Sequence, residues 1–274
     1  MTPPLRILLA GVTGKTGRLV ASDILACDDL QLVAAVSRSA AGRDLGEVFG
    51  QNPLNVKVFS SVAEALKVPS DVLIEYTSHA IAKDNVLQAL ATQRHVVIGT
   101  SGLTTQDYED IDKAAKAAGR GVIVAGNYAM TATLMRRFAL EAAKHISDVE
   151  VIDYASAQKP DVPSGTAREL AEMLGDVRLS ASSMPVDQLH GPLEARGAAV
   201  GQPVPVQVHS LRLPSYYISC EAIFGTPDGR LTIRYDAFPF TTPSPTSYIA
   251  GTLLAARKVP QLIGLHRGLE HALD

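Results

Sequence analysis

The 274-residue sequence predicts an α/β protein, with an N-terminal doubly wound parallel sheet followed by a C-terminal α+β domain built on a mixed or antiparallel sheet. Three observations predict it. Up to residue 127, short apolar runs alternate with Ala-rich stretches of helical period, the pattern of repeated βαβ units. Beyond residue 127, one long amphipathic segment gives way to segments with a period near two. The composition, 46% apolar with a net charge of −3, supplies enough apolar side chains to build a core and lacks the basic surplus that attracts nucleic acid.

In chain order, strands are read at Arg6–Ala10, Gln31–Val36, Asp71–Tyr76, His95–Gly99 and Gly121–Ala125. Each is apolar on both faces, as a parallel strand covered by helices on both sides requires. Crossover helices are read at Gly17–Cys27, Ser61–Leu66, Ala80–Gln93 and Thr105–Ala118. A long helix, Ala129–His145, opens the second domain. Its strands are Val149–Ala157, Val204–Leu213, Tyr216–Phe224 and Arg230–Asp236, the last two joined by the turn-rich Gly225–Arg230. Ser180–Gly201 reads as an irregular connection. The Pro-rich 238–246 ends the strand pattern, and a closing helix at Tyr248–Arg257 is expected to return to the first domain. The domains expected are therefore 1–127 with 241–274, and 128–240.

Gly11, Gly14 and Gly17 follow the first strand and open the first helix. In that context, the turn, the close backbone approach and the helix start suit the pyrophosphate of a dinucleotide, the arrangement of a Rossmann fold. Thr13, Lys15 and Thr16 belong to the same turn. A P-loop reading of Gly14-Lys15-Thr16 fails, because its first glycine falls on Leu9, inside the strand. The second strand ends in Val36-Ser37-Arg38-Ser39, with no acid for ribose hydroxyls; Arg38 and Ser37 instead suit a 2′-phosphate, favouring NADPH over NADH.

Cys27 and Cys220 have neither disulfide-framework nor metal spacing, and no metal site is expected. No 18-residue apolar run occurs and MTPPLR passes straight into a strand pattern, so no membrane segment and a cytoplasmic location are expected. His79, at the carboxyl end of a parallel strand, reads as a solvated loop histidine. Tyr154, Tyr216 and Tyr217 read as amphipathic sheet residues.

The segments GVTGKTG (11–17), IEYTSH (74–79), GTSG (99–102), GNYAM (126–130) and KPDVPSGTA (159–167) occur in the order found in dihydrodipicolinate reductases, and the sequence resembles that family. The resemblance implies a cofactor domain, a sheet domain that binds a cyclic imine carboxylate, and a homotetramer (or a dimer) assembled through that sheet. By position it implies that Thr77, Gly99, Thr100, Gly102 and Asn127 serve the cofactor. It likewise implies that Lys159, Ser164, Gly165 and Thr166 bind substrate. Independently, Ser164 reads as the N-cap of a helix over Ala167–Leu174, where first-turn amides suit a carboxylate.

The sequence departs from the family pattern at Ala155-Ser156-Ala157-Gln158, where the family carries histidines, at 214–221 and at Pro239-Phe240. With the histidines gone, Lys159 is the remaining acid expected to give the proton, or else it only clamps a carboxylate and water is the proton source. Its ordinary pKa of about 10.4 would need lowering by a dry pocket or a second cation. The function expected is an NAD(P)H-dependent reductase of the 4-hydroxy-tetrahydrodipicolinate type. The alternatives are a related imine reductase or amine dehydrogenase, and a non-catalytic NADP-binding regulator.

Overall fold

The computed structural model describes residues 3–178, 184–238 and 247–273. The chain divides into two compact units, residues 1–130 with 244–274 and residues 131–243.

The first unit runs β1 (Leu5–Ala10), α1 (Lys15–Leu25), β2 (Leu30–Val36), α2 (Leu45–Phe49), β3 (Val58–Phe59) and α3 (Val62–Ala65). It continues through β4 (Val72–Glu75), α4 (His79–Ala91), β5 (His95–Ile98), α5 (Thr105–Ala118) and β6 (Gly121–Val124). Its strands form one parallel seven-stranded sheet, whose seventh strand comes from later in the chain. Central β1 shows why both faces had to be apolar. Ile7 and Leu9 enter one core with Val20, Ala21 and Ile24 of α1, whereas Leu8 and Ala10 enter a second with Val86 and Ala89 of α4 and Ile111 of α5. Fully burying a side chain such as Ile7 or Leu8 contributes about 1.5–3 kcal/mol, so both layers hold the strand in place.

The second unit contains α6 (Met130–Ala143, which begins at the boundary), β7 (Val149–Ala155), α7 (Gly165–Val177), β8 (Ala198–Val200), β9 (Val206–Arg212), β10 (Ile218–Thr226) and β11 (Gly229–Ala237). The sheet order is β11-β10-β7-β9-β8, antiparallel except for the β7–β9 pair, so the sheet is mixed. Helix α7 packs on β7 and β9. A buried ion pair, Arg136 to Glu169 at 2.6 Å, links α6 to α7.

The chain then returns to the first unit as α8 (Ser247–Lys258), packed on α1, and β12 (Gly264–Arg267), paired with β6 at the sheet edge. The sequence reading contained neither β12 nor β3 and α2, and it left β8 inside the irregular connection. These pieces are two to five residues long, too short for a period to show. Most of the expected strand break, 239–246, the departure at Pro239-Phe240 and part of the expected connection, 180–183, lie outside the described residues.

Candidate functional site

The glycine turn is dictated by space. Gly11 has φ +85°, and a Cβ there would overlap the Tyr76 carbonyl, while a Cβ at Gly17 would overlap the carbonyl of Gly11. Gly14 is the N-cap of α1 and supplies no side-chain cap, and an anion suits the positive end of that helix. Ser78, the N-cap of α4, makes no side-chain cap either.

Two cavities open along the carboxyl ends of the parallel strands. One, of about 350 Å³, is lined by Gly14, Lys15, Thr16 and Gly17 on one side and by Tyr76, Thr77, Gly99 and Thr100 on the other. The second, of about 620 Å³, is lined by Gly11, Thr13, Ser37, Arg38, Ser39 and Ile81 among others. They meet at Thr77 and Ser78. Together they lie where β1 and β4 adjoin, the topological switch point of the sheet, and have the size of a ligand site.

In the larger cavity, hydroxyls form a chain: Thr13 Oγ1 to Ser37 Oγ at 2.8 Å, and Ser37 Oγ to Ser39 Oγ at 3.1 Å. Arg38 is exposed beside them. In the smaller cavity, Gly99 is pressed against the Tyr76 ring, which leaves no room for a side chain. The Tyr76 hydroxyl bonds Thr252 Oγ1 at 2.8 Å, and burial pushes its pKa well above the usual value. Gly102 has φ +95°, and Asn127 is buried, accepting the Ala129 amide at 2.9 Å. His79 is not in a loop: it begins α4 and stands exposed in the wall of the smaller cavity.

Sequence reasoning missed Glu75. It is fully buried, and its carboxylate accepts the Thr77 amide at 2.7 Å, the Thr77 hydroxyl, Asn85 Nδ2 at 3.0 Å and the Thr100 hydroxyl at 3.4 Å. Burial pushes its pKa up, against those hydrogen bonds. An acid at the end of an otherwise apolar strand was the available signal.

In the second unit, Ser164 caps α7, accepting the Ala167 amide at 3.4 Å, so Gly165 and Thr166 occupy the first turn at the positive end of the helix. The Ser164 amide donates to Asp153 Oδ2 at 2.8 Å. The same oxygen accepts Ser210 Oγ at 3.0 Å and Arg212 Nη2 at 2.8 Å, and Arg212 Nη2 also donates to the Asp161 carbonyl at 2.7 Å. Asp153 thus holds the Ser164 end of the loop that carries Lys159, and its partner Arg212 holds the Asp161 carbonyl. Lys159 Nζ lies 2.8 Å from Asp161 Oδ1. The ion-pair partner of Lys159 is a carboxylate and its side chain is 26% exposed, and a second cation, Arg212, bonds the backbone carbonyl of the same Asp161. Burial pushes the Asp161 carboxyl up, but Lys159 outweighs this and holds it below the usual range.

Tyr154 lies on the other side of the sheet from the Asp153 cluster, where its hydroxyl donates to Glu221 at 2.9 Å and its ring meets Tyr216 at 4.9 Å and Arg234 at 4.6 Å. Burial, with Glu221 beside it, pushes its pKa up to about 12. Ala155 stands in register with Arg212, on the Asp153 face. No cluster of metal-ligating side chains occurs among the described residues, and no described helix is long and apolar enough to cross a membrane.

The parallel sheet, glycine turn and switch-point cavities define a pyridine-nucleotide oxidoreductase of the Rossmann class. Family models described as dihydrodipicolinate reductase N-terminus and C-terminus match residues 5–128 and 131–270. The chain belongs to the dihydrodipicolinate reductase family. It is 36% identical over 280 residues to the 4-hydroxy-tetrahydrodipicolinate reductase of Synechococcus elongatus, covering all of both chains. It is also 36% identical over 275 residues to that of Desulfitobacterium hafniense, with 98% and 99% of the chains covered. Among solved structures, a dipicolinate-bound dihydrodipicolinate reductase from Paenisporosarcina sp. TG-14 superposes with TM-score 0.76 at 28% identity, covering 97% of this chain and 98% of that one. An amine dehydrogenase from Mycobacterium smegmatis shares the fold, with TM-score 0.65 at 18% identity and 96% and 94% coverage.

Proposed function

We propose that the protein is an NADPH-dependent reductase of a cyclic imine carboxylate, a 4-hydroxy-tetrahydrodipicolinate reductase of lysine and diaminopimelate biosynthesis. The observation that carries this reading is the Lys159–Thr166 loop, held by Asp153 and Arg212 within the residues that the C-terminal family model matches. In the first unit, the Gly11–Gly17 turn and the first turn of α1 suit the pyrophosphate. Arg38 with the Thr13–Ser37–Ser39 hydroxyls suits a 2′-phosphate, and Thr77, Gly99, Thr100, Gly102 and Asn127 suit the nicotinamide half. Gly11, Gly17 and Gly99 lack a Cβ because the protein's own Tyr76 and Gly11 carbonyl fill that space, and this packing brings the turn and the Tyr76 ring together in the shape such a ligand would meet.

When bound, the reduced dinucleotide supplies a hydride for the imine carbon. The chain's task is to orient and charge-match the substrate. Ser164, Gly165 and Thr166 offer a helix start to one substrate carboxylate. Lys159 serves as the cation for a carboxylate, or passes a proton from Nζ to the imine nitrogen and regains one from solvent. Its exposure and its Asp161 partner favour the carboxylate role. Leu211, exposed on the sheet face opposite Asp153 and sharing that face with Ile152 and Ile223, supports assembly of a homotetramer through that sheet, and the location proposed is cytoplasmic.

Ala155 and Ser156 favour a second reading, in which the same scaffold reduces a different cyclic imine. The purified protein is mixed with NADPH and the synthase-generated lysine-pathway intermediate, then with a panel of cyclic and acyclic imino acids, following absorbance of the reduced cofactor. Turnover of the pathway intermediate is expected. Turnover of the panel alone supports the second reading, and binding of NADPH without any oxidation points to a regulator.

A further inference from the structure

Glu75 is a buried acid that the proposed chemistry does not use. Burying an ionised carboxylate is costly unless hydrogen bonds replace its water. Here four neutral donors do so, and they come from three places: Thr77 after β4, Asn85 within α4, and Thr100 after β5. Thr77 spends both its amide and its hydroxyl on Oε1, the oxygen that also takes the Thr100 hydroxyl. The Gly99 amide donates to the Glu75 carbonyl at 2.9 Å, so main chain and side chain of one residue tie the same loop. A strand position flanked by Leu73 and Ile74 in an apolar core would accept a Leu or Met if packing were the only demand.

The pieces being tied are cavity walls. Thr77 and Thr100 line the smaller cavity, and Thr77 with Asn85 lines the larger. The geometry points to Glu75 as a positioning residue for the dinucleotide: one carboxylate fixes the loops after β4 and β5 in the arrangement that receives the nicotinamide half. An ionised carboxylate only accepts, so it directs the Thr77 and Thr100 hydroxyl hydrogens inward, while Asn85 Nδ2 also reaches Thr77 Oγ1 at 3.5 Å and closes the cluster. A neutral amide of the same shape would place an N–H against one of these donors.

This inference rests on the dinucleotide reading, and the test separates the two. NADPH and NADH are titrated into the full-length protein, its Glu75→Gln and Glu75→Asp variants, with cofactor fluorescence as the signal. The KM for the imine substrate and the melting temperature are measured alongside. For Glu75→Gln, the NADPH Kd rises about tenfold, the size of one lost charge-assisted hydrogen bond, while the imine KM stays within about twofold. Glu75→Asp, which keeps the charge, regains most of the affinity. A Glu75→Gln variant that binds NADPH as the parent does overturns the inference, as does Glu75→Asp binding no better than Glu75→Gln. An affinity loss matched by an equal rise in imine KM and a fallen melting temperature overturns it too. Failure of the unaltered protein to bind either dinucleotide instead overturns the functional reading.

Discussion

At the scale of single residues, Lys159 and Arg38 make separable demands. Lys159 belongs to a loop pinned by Asp153 and Arg212, and its Nζ is already paired with Asp161. Lys159→Ala therefore lowers kcat/KM for the imine by about 10²-fold, within the range for losing a positioned charge or acid, and leaves the NADPH Kd unchanged. Unchanged turnover would remove Lys159 from the site. Arg38→Ala acts on the other side: the NADPH Kd rises about tenfold or more while the NADH Kd stays put, because only one cofactor carries the 2′-phosphate. Equal losses for both cofactors would place Arg38 outside that contact. The place of Arg38 in the cavity wall was readable because it depends on chain position, the end of the second strand. The significance of Glu75 was not, since it comes from partners two, ten and twenty-five residues away on other elements.

Among the elements, helix starts divide by purpose. Helices α1 and α4 open on the cavities without side-chain caps, whereas α5 begins with a full capping box in which Thr104 and Asp107 exchange hydrogen bonds. The Thr104 amide and hydroxyl, with Lys83, hold the Asp107 pKa down at about 2. A carboxyl depressed in the folded state contributes stability that is fully present above its unfolded value, about 3.9, and is lost as pH falls through the folded one. The gap in denaturation midpoint between the unaltered protein and Asp107→Asn should thus be constant from pH 7 to 5 and close between about pH 4 and 2. A gap that persists at pH 2 would refute this origin. The parallel strands and crossover helices were legible because covered strands are apolar throughout and the crossovers keep a 3.6 period. The parallel pairing of β9 with β7 was not, because it depends on a connection from 156 to 205 whose length says nothing of where the chain returns.

For the whole molecule, a ligand that binds only the folded state adds stability by mass action, about 2.7 kcal/mol at a hundredfold excess over Kd. NADPH should raise the melting temperature of the full chain, and NADH at equal concentration should raise it less. An equal rise would deny the preference for NADPH. Leu211→Asp, placing a charge in the proposed subunit contact, should reduce the sedimenting mass from tetramer towards smaller species; an unchanged mass would move the contact elsewhere. The first unit also draws its last strand and a covering helix from the far end of the chain: β12 pairs with β6, and α8 packs on α1. During synthesis, a ribosome completes the entire second unit before it delivers either piece. The first sheet is therefore completed late, and the nascent chain must carry it with an unpaired edge at β6 until residues 264–267 emerge, a window in which a chaperone has something to hold.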